Sequence, residues 1–484
     1  VGLLPAFVFL AAAAQAAPLP EQATVLTNVN VVGPTGVVAG QSIVIAGDLI
    51  VAVGPAPGTP PPATARVFDA QGAFVIPGLW EMHGHLAAYP GALPLLVAYG
   101  VTGVRDMGNA NPQETKDLLQ WRSEIVAGKR VGPRLVIAGP TVDGPRGYQS
   151  DARLFVTTAA EGRQAVTTVK ERGADFVKVH EWIGPEAYKA VIEAAREKGL
   201  PVAGHTPAAI PAREAAAAGQ RSIEHLGSGT GGFLLDVSSR EKELRREVLQ
   251  HMAAARGAGS EKAFWEWVQS PAHSQALLDS WDPAKAAKLI AVLEKHGTWH
   301  CPTLTVMGPT VRPRSDAEKR FIFASAQAAC AKTPPAVAPA TAEALFRREL
   351  GIVADLQRAG VGLLAGTDTS APNEEAVEEF GTCDVPIAGL SVHDELEWLV
   401  AAGLSPAQAL AAATVEPARY FNEDAVAGSV AAGKRADLVL LEANPLEDIR
   451  NTRRIKAVVS AGRLFDRETL DGFLEQAATD ARAR

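Results

Sequence analysis

Phe74-Val75-Ile76-Pro77-Gly78-Leu79-Trp80-Glu81-Met82-His83-Gly84-His85 reads as a buried strand that stops at two histidines. Side chains alternate along a strand, so residues two apart project to the same side and both imidazoles can reach one metal ion. Further stretches share this buried texture, at residues 101–107, 134–139, 175–180, 201–205, 222–226, 298–304 and 361–368. Amphipathic helical stretches separate them. Strands that alternate with helices pair in parallel, and eight such repeats predict an α/β fold, a (β/α)8 TIM barrel with its chemistry at the carboxyl ends of the strands.

Polar residues collect at those ends. His205 closes stretch 201–205, His225 lies near the end of 222–226, Asp368 closes 361–368, and Lys178 lies near the end of 175–180. With His83 and His85 they form a candidate ligand set in which all but the lysine are types that surround zinc. Lys178 sits in the otherwise buried Asp175-Phe176-Val177-Lys178-Val179-His180. A lone buried ammonium is costly, and burial lowers its pKa from about 10.4 and leaves more neutral amine. Neutral amine adds carbon dioxide to give a carbamate, an anionic two-oxygen ligand able to bridge two metal ions. The alternative is a pair with a carboxylate such as Asp368 or Glu81. The lysine's place among the ligands argues for two metals.

The barrel is expected over residues 73–424, flanked by short β-branched runs punctuated by Gly and Pro at 23–72 and 425–466. These two ends are expected to pair into one small composite β-sandwich domain. A helical insertion at about 228–297 carries Trp265, Trp267 and Trp281, and 306–340 is rich in Pro and Arg. Long connections at the catalytic face are lids or substrate walls, or the tryptophans simply pack the insertion onto the barrel. Residues 1–17 are apolar and close with Ala14-Gln15-Ala16, the small-x-small pattern a signal peptidase reads. The expectation is an exported protein, periplasmic or secreted. From Phe473 onward the chain reads as a polar, frayed helix.

Composition excludes several functions. The 484 residues are 47% hydrophobic and 21% charged, as in globular proteins, and the formal charge of −8 is spread without a basic block. A nucleic-acid partner is therefore not expected, and no other stretch is long and apolar enough for a membrane span. Cys301, Cys330 and Cys383 are too few and too widely spaced for a disulfide framework or a CxxC knuckle, so core packing is their expected role.

The stretch from Val75 to His85 resembles the opening signature of the amidohydrolase superfamily. Thr414-Val415-Glu416-Pro417-Ala418, Gly428-Ser429-Val430 and Ala432-Gly433-Lys434-Arg435-Ala436-Asp437-Leu438 resemble its C-terminal motifs. Within the superfamily the chain is most similar to the imidazolonepropionase-like branch, and there to exported prolidase-like peptidases that cleave dipeptides or N-acyl amino acids. The resemblance implies that His83, His85 and Asp368 bind one divalent ion, that His205 and His225 bind a second, and that carboxylated Lys178 bridges them. Two zinc ions about 3.5–4 Å apart share a hydroxide whose pKa falls toward about 7. The implied reaction is attack of that bridging hydroxide on an amide or peptide bond, with Asp368 as the catalytic proton carrier. Tyr148, on the loop after the third strand, is a candidate oxyanion donor.

His180, two residues past Lys178, and His300, on the seventh strand, are candidate substrate contacts. His393 is expected to cap a helix or support a ligand, Arg105 and Asp106 to form a structural pair, and Arg146 or Arg153 to meet a substrate carboxylate. Alanine at position 208 counts against deaminases of the superfamily, which place a glutamate there, and Lys178 counts against imidazolonepropionase activity. Lactonases share the dimetal core and stay open, as does a homologue that has lost its metals. The expected partner is a small molecule or dipeptide, and a homo-oligomer is compatible with the sequence. Zinc fits the ligand set, as do manganese and cobalt.

Overall fold

Both ends of the chain meet in one sheet. The computed structural model describes residues 23–55, 64–227, 230–306, 308, 313–330, 339–380 and 384–484, so the signal-peptide stretch expected at 1–17 and Cys383 lie outside the described residues. Strands β1 (Thr24–Gly33), β2 (Gly36–Ala46), β3 (Leu49–Pro55) and β4 (Arg66–Pro77) come from the N-terminal part. Ten strands further on, after β5 to β13 described below, the C-terminal part adds β14 (Leu438–Leu441), β15 (Ile455–Ser460) and β16 (Arg463–Asp466). They form a seven-stranded sheet in the order β16-β15-β14-β4-β1-β2-β3. The junction is the antiparallel pair of β4 with β14, where Val75 faces Leu440. Alternating apolar residues on one face, among them Leu26, Ile43, Ile45, Leu438, Leu440 and Val459, make a shared core. Residues 433–436 bond along β3, with Ile50 N donating to Lys434 O and Gly433 N to Ile50 O, both at 2.8 Å. Gly462, at φ +76°, sits so close to Gly47 that any side chain there would collide with the Gly47 carbonyl.

Between these ends lie two parallel sheets. One joins β5 (Leu79–Gly84), β6 (Val101–Asp106) and β7 (Arg134–Ile137). The other has β8 (Thr141–Asp143), β9 (Arg153–Phe155), β10 (Val177–Val179), β11 (Val202–Gly204), β12 (Ser222–Glu224) and β13 (Trp299–Cys301), ordered β13-β12-β11-β10-β8-β9. Backbone bonds link the two at both margins. Asp175 N donates to Ile137 O at 2.8 Å on one side. On the other, stretch 361–369 bridges β13 at Leu363 and β5 at Thr369. The strand expected at 361–368 is thus present as isolated bridges, and it ends at Asp368, where φ 59° turns the chain out of extended geometry.

Alternation sorts the side chains. Val177 and Val179 pack outward against the helices Ala159–Glu171 and Pro185–Glu197, while Lys178 between them is buried on the inner face. The first helix is held at its start by a capping box between Thr158 and Glu161, the second by Pro185 in its first turn. From residue 230 to 297 the chain is mostly helical, and Leu244, Val248, Met252 and Phe264 root this part on Trp182 and Ala208. Trp265 and Trp267 pack against that same cluster.

Two expectations about the fold need correction. The C-terminal segment is a continuous helix, Arg467–Ala483, whose buried Leu470, Ala478 and Ala481 join the main core. Its apolar residues recur at helical spacing on one face, which is enough to dock an otherwise polar helix. Cys301 is buried and free, but Cys330 is disulfide-bonded, since an odd cysteine count still leaves room for one bridge. Among the described residues no helix is long and apolar enough to cross a membrane.

Candidate active site

His83, His85, His205 and His225 converge where the parallel strands end. The His83 ring centroid lies 5.4 Å from that of His85 and 4.6 Å from that of His225, which in turn lies 4.7 Å from that of His205. Asp368 reaches into the group, with Oδ1 3.3 Å from His83 Nε2 and 3.2 Å from His85 Nε2, and Oδ2 3.9 Å from His225 Nε2. His225 and Asp368 share a left-handed backbone, both at φ 59°, a conformation that turns each side chain back over the strand ends.

The hydrogen bonds fix which ring nitrogens are available. His83 Nδ1 meets Glu224 Oε2 at 2.9 Å, His85 Nδ1 meets Gly108 O at 3.1 Å, and His205 Nδ1 meets Glu181 Oε1 at 3.1 Å. His225 Nδ1 meets Thr303 Oγ1 at 2.6 Å, and that hydroxyl already donates to Pro302 O, so it accepts from the ring. Every Nδ1 therefore carries a proton and donates, which leaves Nε2 as the ring atom turned to the site. Burial pushes His205 and His225 well below the ordinary histidine range, which keeps them neutral. Neutral imidazoles oriented by a carboxylate or carbonyl behind them are what metal ligation needs.

Nε2 of His83 and of His85 thus faces one Asp368 oxygen, three ligand-type atoms that a single cation between them can satisfy. Two buried atoms without a hydrogen-bond partner point the same way, His83 Nε2 and Lys178 Nζ. Lys178 is 1% exposed, and burial pushes its ammonium down to about 8 against the opposing pull of Glu224 and Asp368. It has formed no pair with Asp368 or Glu81. Groups able to hold a metal ion include His83, His225 and Asp368, with ligand atoms within 4.8 Å of one another. The residues present fit divalent metal.

The family model for the Amidohydrolase family matches residues 74–465. The chain belongs to the amidohydrolase family. No curated protein is a significant sequence match. Among solved structures, this amidohydrolase is similar to a candidate prolidase of Bifidobacterium longum, at 24% identity and TM-score 0.62, over 94% of this chain and 99% of that one. A bottromycin amidohydrolase matches at 24% identity and TM-score 0.67, over 96% of this chain and 91% of that one. A Xaa-Pro dipeptidase solved with methionine in its active site matches at 19% identity and TM-score 0.63, over 92% of this chain and all of that one. They share the α/β fold with parallel sheets.

Sequence reading missed the role of the residues behind the candidate ligands of this amidohydrolase. Glu224 is fully buried and accepts from His83, from Arg105 NH2 at 2.7 Å and from Ser222 Oγ at 2.6 Å. Glu81 accepts from the backbone N–H of His83 and of Thr367, both at 2.9 Å, and burial pushes its carboxyl up to about 7. Each left a signal, a carboxylate inside an apolar strand one or two residues before a ligand histidine. Arg105 pairs with Glu224 and not with Asp106, because neighbours in a strand face opposite sides; Asp106 accepts from Leu86 N and Gly108 N.

The candidate substrate contacts separate. His180 joins the amidohydrolase site, its ring stacked 4.0 Å from His205. His300 does not. It lies in register with Ile223 on the outer face of the strands, while its neighbour Cys301 faces the His83 side, and both its ring nitrogens lack partners. Tyr148 is 39% exposed and packs edge-on against Phe155. His393 bonds Thr452 Oγ1 and Tyr99 O, so it ties a helix to its neighbours and neither caps nor supports a ligand.

Proposed function

We propose that this amidohydrolase is an exported dinuclear enzyme that cleaves the amide or peptide bond of dipeptides or N-acyl amino acids. One observation carries the reading: four histidines commit Nδ1 to acceptors behind them, and three of them, His83, His85 and His225, turn Nε2 toward Asp368, beside a buried Lys178 with no hydrogen-bond partner among the described residues.

His83, His85 and Asp368 would hold one divalent ion, His205 and His225 the other, with Lys178 between them as a carbamate. Formation of the carbamate joins Lys178 Nζ to the carbon of carbon dioxide and releases one proton, which requires the neutral amine that burial favours. Bound divalent ions, zinc in this reading, supply Lewis acidity that polarises the scissile carbonyl and lowers the pKa of water toward about 7. Asp368 accepts the nucleophile's proton on its carboxylate and delivers it to the leaving amine nitrogen. Glu224, Glu181 and Thr303 keep the ligand imidazoles in the required tautomer.

The two parallel sheets belong in this reading to one (β/α)8 barrel over 73–424, a closure supported by the bonds at Asp175 and at 361–369. The seven-stranded sheet folds over as a sandwich over 23–72 and 425–466, supported by the contact of Gly462 with Gly47. Export is supported by the disulfide at Cys330, since such bonds persist in oxidising compartments.

The test is a mass-spectrometric screen of zinc-loaded protein, with and without chelator, against pooled dipeptides, N-acyl amino acids and lactones. Chelator-sensitive release of free amino acids is expected. Lactone opening alone would move the function to ester chemistry, and no turnover in any pool would overturn the reading.

A further inference from the structure

Two arginines share Asp143 beside His180, and their bonding tells them apart. Arg146 is fully engaged. Its Nε donates to Asp143 Oδ2 at 2.6 Å, one terminal nitrogen donates to both oxygens of Glu261 at 3.0 and 2.9 Å, and the other donates to His180 Nδ1 at 2.7 Å. Its guanidinium also lies 5.2 Å from the centre of the Trp182 ring. With a side chain only 3% exposed and all three nitrogens bonded within the protein, it is committed to these partners.

Arg153 is different. It opens β9, where alternation sends Leu154 outward with Val142 and leaves Arg153 on the face of Thr141 and Asp143. One terminal nitrogen donates to Asp143 Oδ2 at 3.1 Å, and no other partner is present among the described residues. The side chain is 14% exposed, so the rest of this rigid fork of donors is open at the edge of the site. Asp143 is already shared with Arg146, which leaves Arg153 with only part of a counter-charge.

His180 adds a directed donor beside it. Its Nδ1 accepts from Arg146 and from the backbone N–H of Glu181 at 2.9 Å, so the ring proton is on Nε2. That Nε2–H has no acceptor among the described residues, although the ring stacks on the candidate ligand His205. Arg153 and the His180 ring are neighbours across Asp143, whose Oδ2 lies 3.1 Å from an Arg153 terminal nitrogen and 3.8 Å from His180 Nδ1, the other nitrogen of the ring.

We propose that Arg153, with the Nε2–H of His180 beside it, holds a free carboxylate of the substrate, so that the enzyme selects dipeptides and N-acyl amino acids over their C-terminal amides. This rests on the amide-hydrolase reading and supplies its specificity. Arg146 is a positioning residue that fixes the His180 tautomer and ties it, through Glu261, to the helical insertion.

The experiment compares zinc-loaded wild type, Arg153→Gln, Arg153→Lys and His180→Gln on pooled dipeptides and N-acetyl amino acids and on the matched C-terminal amides. Wild type is expected to favour the free acids by about 30-fold or more in kcat/KM, the worth of a charge-assisted bidentate contact. Arg153→Gln should abolish most of that preference through KM, Arg153→Lys should keep part of it, and His180→Gln should reduce it. Equal cleavage of acids and amides by wild type, or a preference that survives Arg153→Gln, overturns the proposal. Calorimetric titration of metal-free protein with N-acetyl amino acids and their amides gives a readout independent of turnover. If neither pool is cleaved, the amide-hydrolase reading fails; acid-selective binding lost in Arg153→Gln then still upholds the carboxylate site, and unselective or absent binding overturns it.

Discussion

His83 Nδ1 lies 2.9 Å from Glu224 Oε2, and neither side chain is exposed to solvent. Glu224 also neutralises Arg105 at 2.7 Å, so one carboxylate orients a ligand and balances a buried cation. Loss of such a supporting carboxylate weakens metal binding by about 10- to 100-fold, and breaking a buried ion pair costs about 3–5 kcal/mol. Glu224→Gln should therefore show both defects, read by competition with a chromophoric chelator and by denaturant unfolding. A variant with wild-type zinc affinity would detach Glu224 from the metal site.

Lys178 and Asp368 should separate from that pattern. Neither closes an ion pair that the fold depends on, and Lys178 Nζ has no hydrogen-bond partner among the described residues. Lys178→Ala and Asp368→Asn are each expected to lower kcat/KM by about 10²- to 10⁴-fold, the scale of lost proton transfer and activation, with a thermal midpoint close to wild type. A fully active Lys178→Ala enzyme would sink the bridging carbamate.

His300→Leu should do little to turnover. The histidine faces away from the ligands, and burial with no partner for either nitrogen pushes its pKa down to about 4. Replacing an unsatisfied buried polar group by an apolar one of similar size is neutral or stabilising. Turnover within about twofold of wild type and an equal or higher unfolding midpoint are expected. A tenfold loss of kcat/KM would restore His300 to the site.

Glu349 should impose a pH dependence on stability. It lies buried on the helix Pro339–Arg358 among Phe346, Ile352 and Val353, and burial pushes its carboxyl up to about 8 from 4.5. Below about 4.5 the group is protonated in native and unfolded chains alike; between there and about 8 only the unfolded chain ionises it, so stability falls as pH rises, and above about 8 the loss levels off. Glu349→Gln stays neutral throughout. It should match wild type near pH 5 and be more stable at pH 8 by roughly 2–4 kcal/mol, measured from unfolding midpoints at both values. A variant that gains nothing at pH 8 would show that Glu349 ionises freely in the native state.

What the sequence made legible follows from chain periodicity. Candidate ligands two apart on one strand, such as His83 and His85, or at the ends of parallel strands, such as His205 and His225, are visible because alternation and strand polarity place them. The same rule, applied residue by residue, would have sent His300 to the outer face with Ile223 and separated Arg105 from Asp106. What stayed hidden depends on contacts between distant segments. The partnership of Glu224 with Arg105 spans 119 positions, and Arg146 with Glu261 spans 115. The irregular stretch around Asp368 was also beyond reach, because a left-handed residue leaves no mark in composition.

The segment 433–436 that bonds along β3 has a consequence for life in a crowded solution. A seven-stranded open sheet ends in rows of unpaired amides and carbonyls, templates onto which another molecule can add a strand. Here the first residues of the outermost strand already have their partners, through Ile50 and the Ala436 N–H on Asp48 O. At the opposite margin β16 is only four residues long. The chain's own return to its beginning thus guards the rim of the sheet against fibre-like stacking.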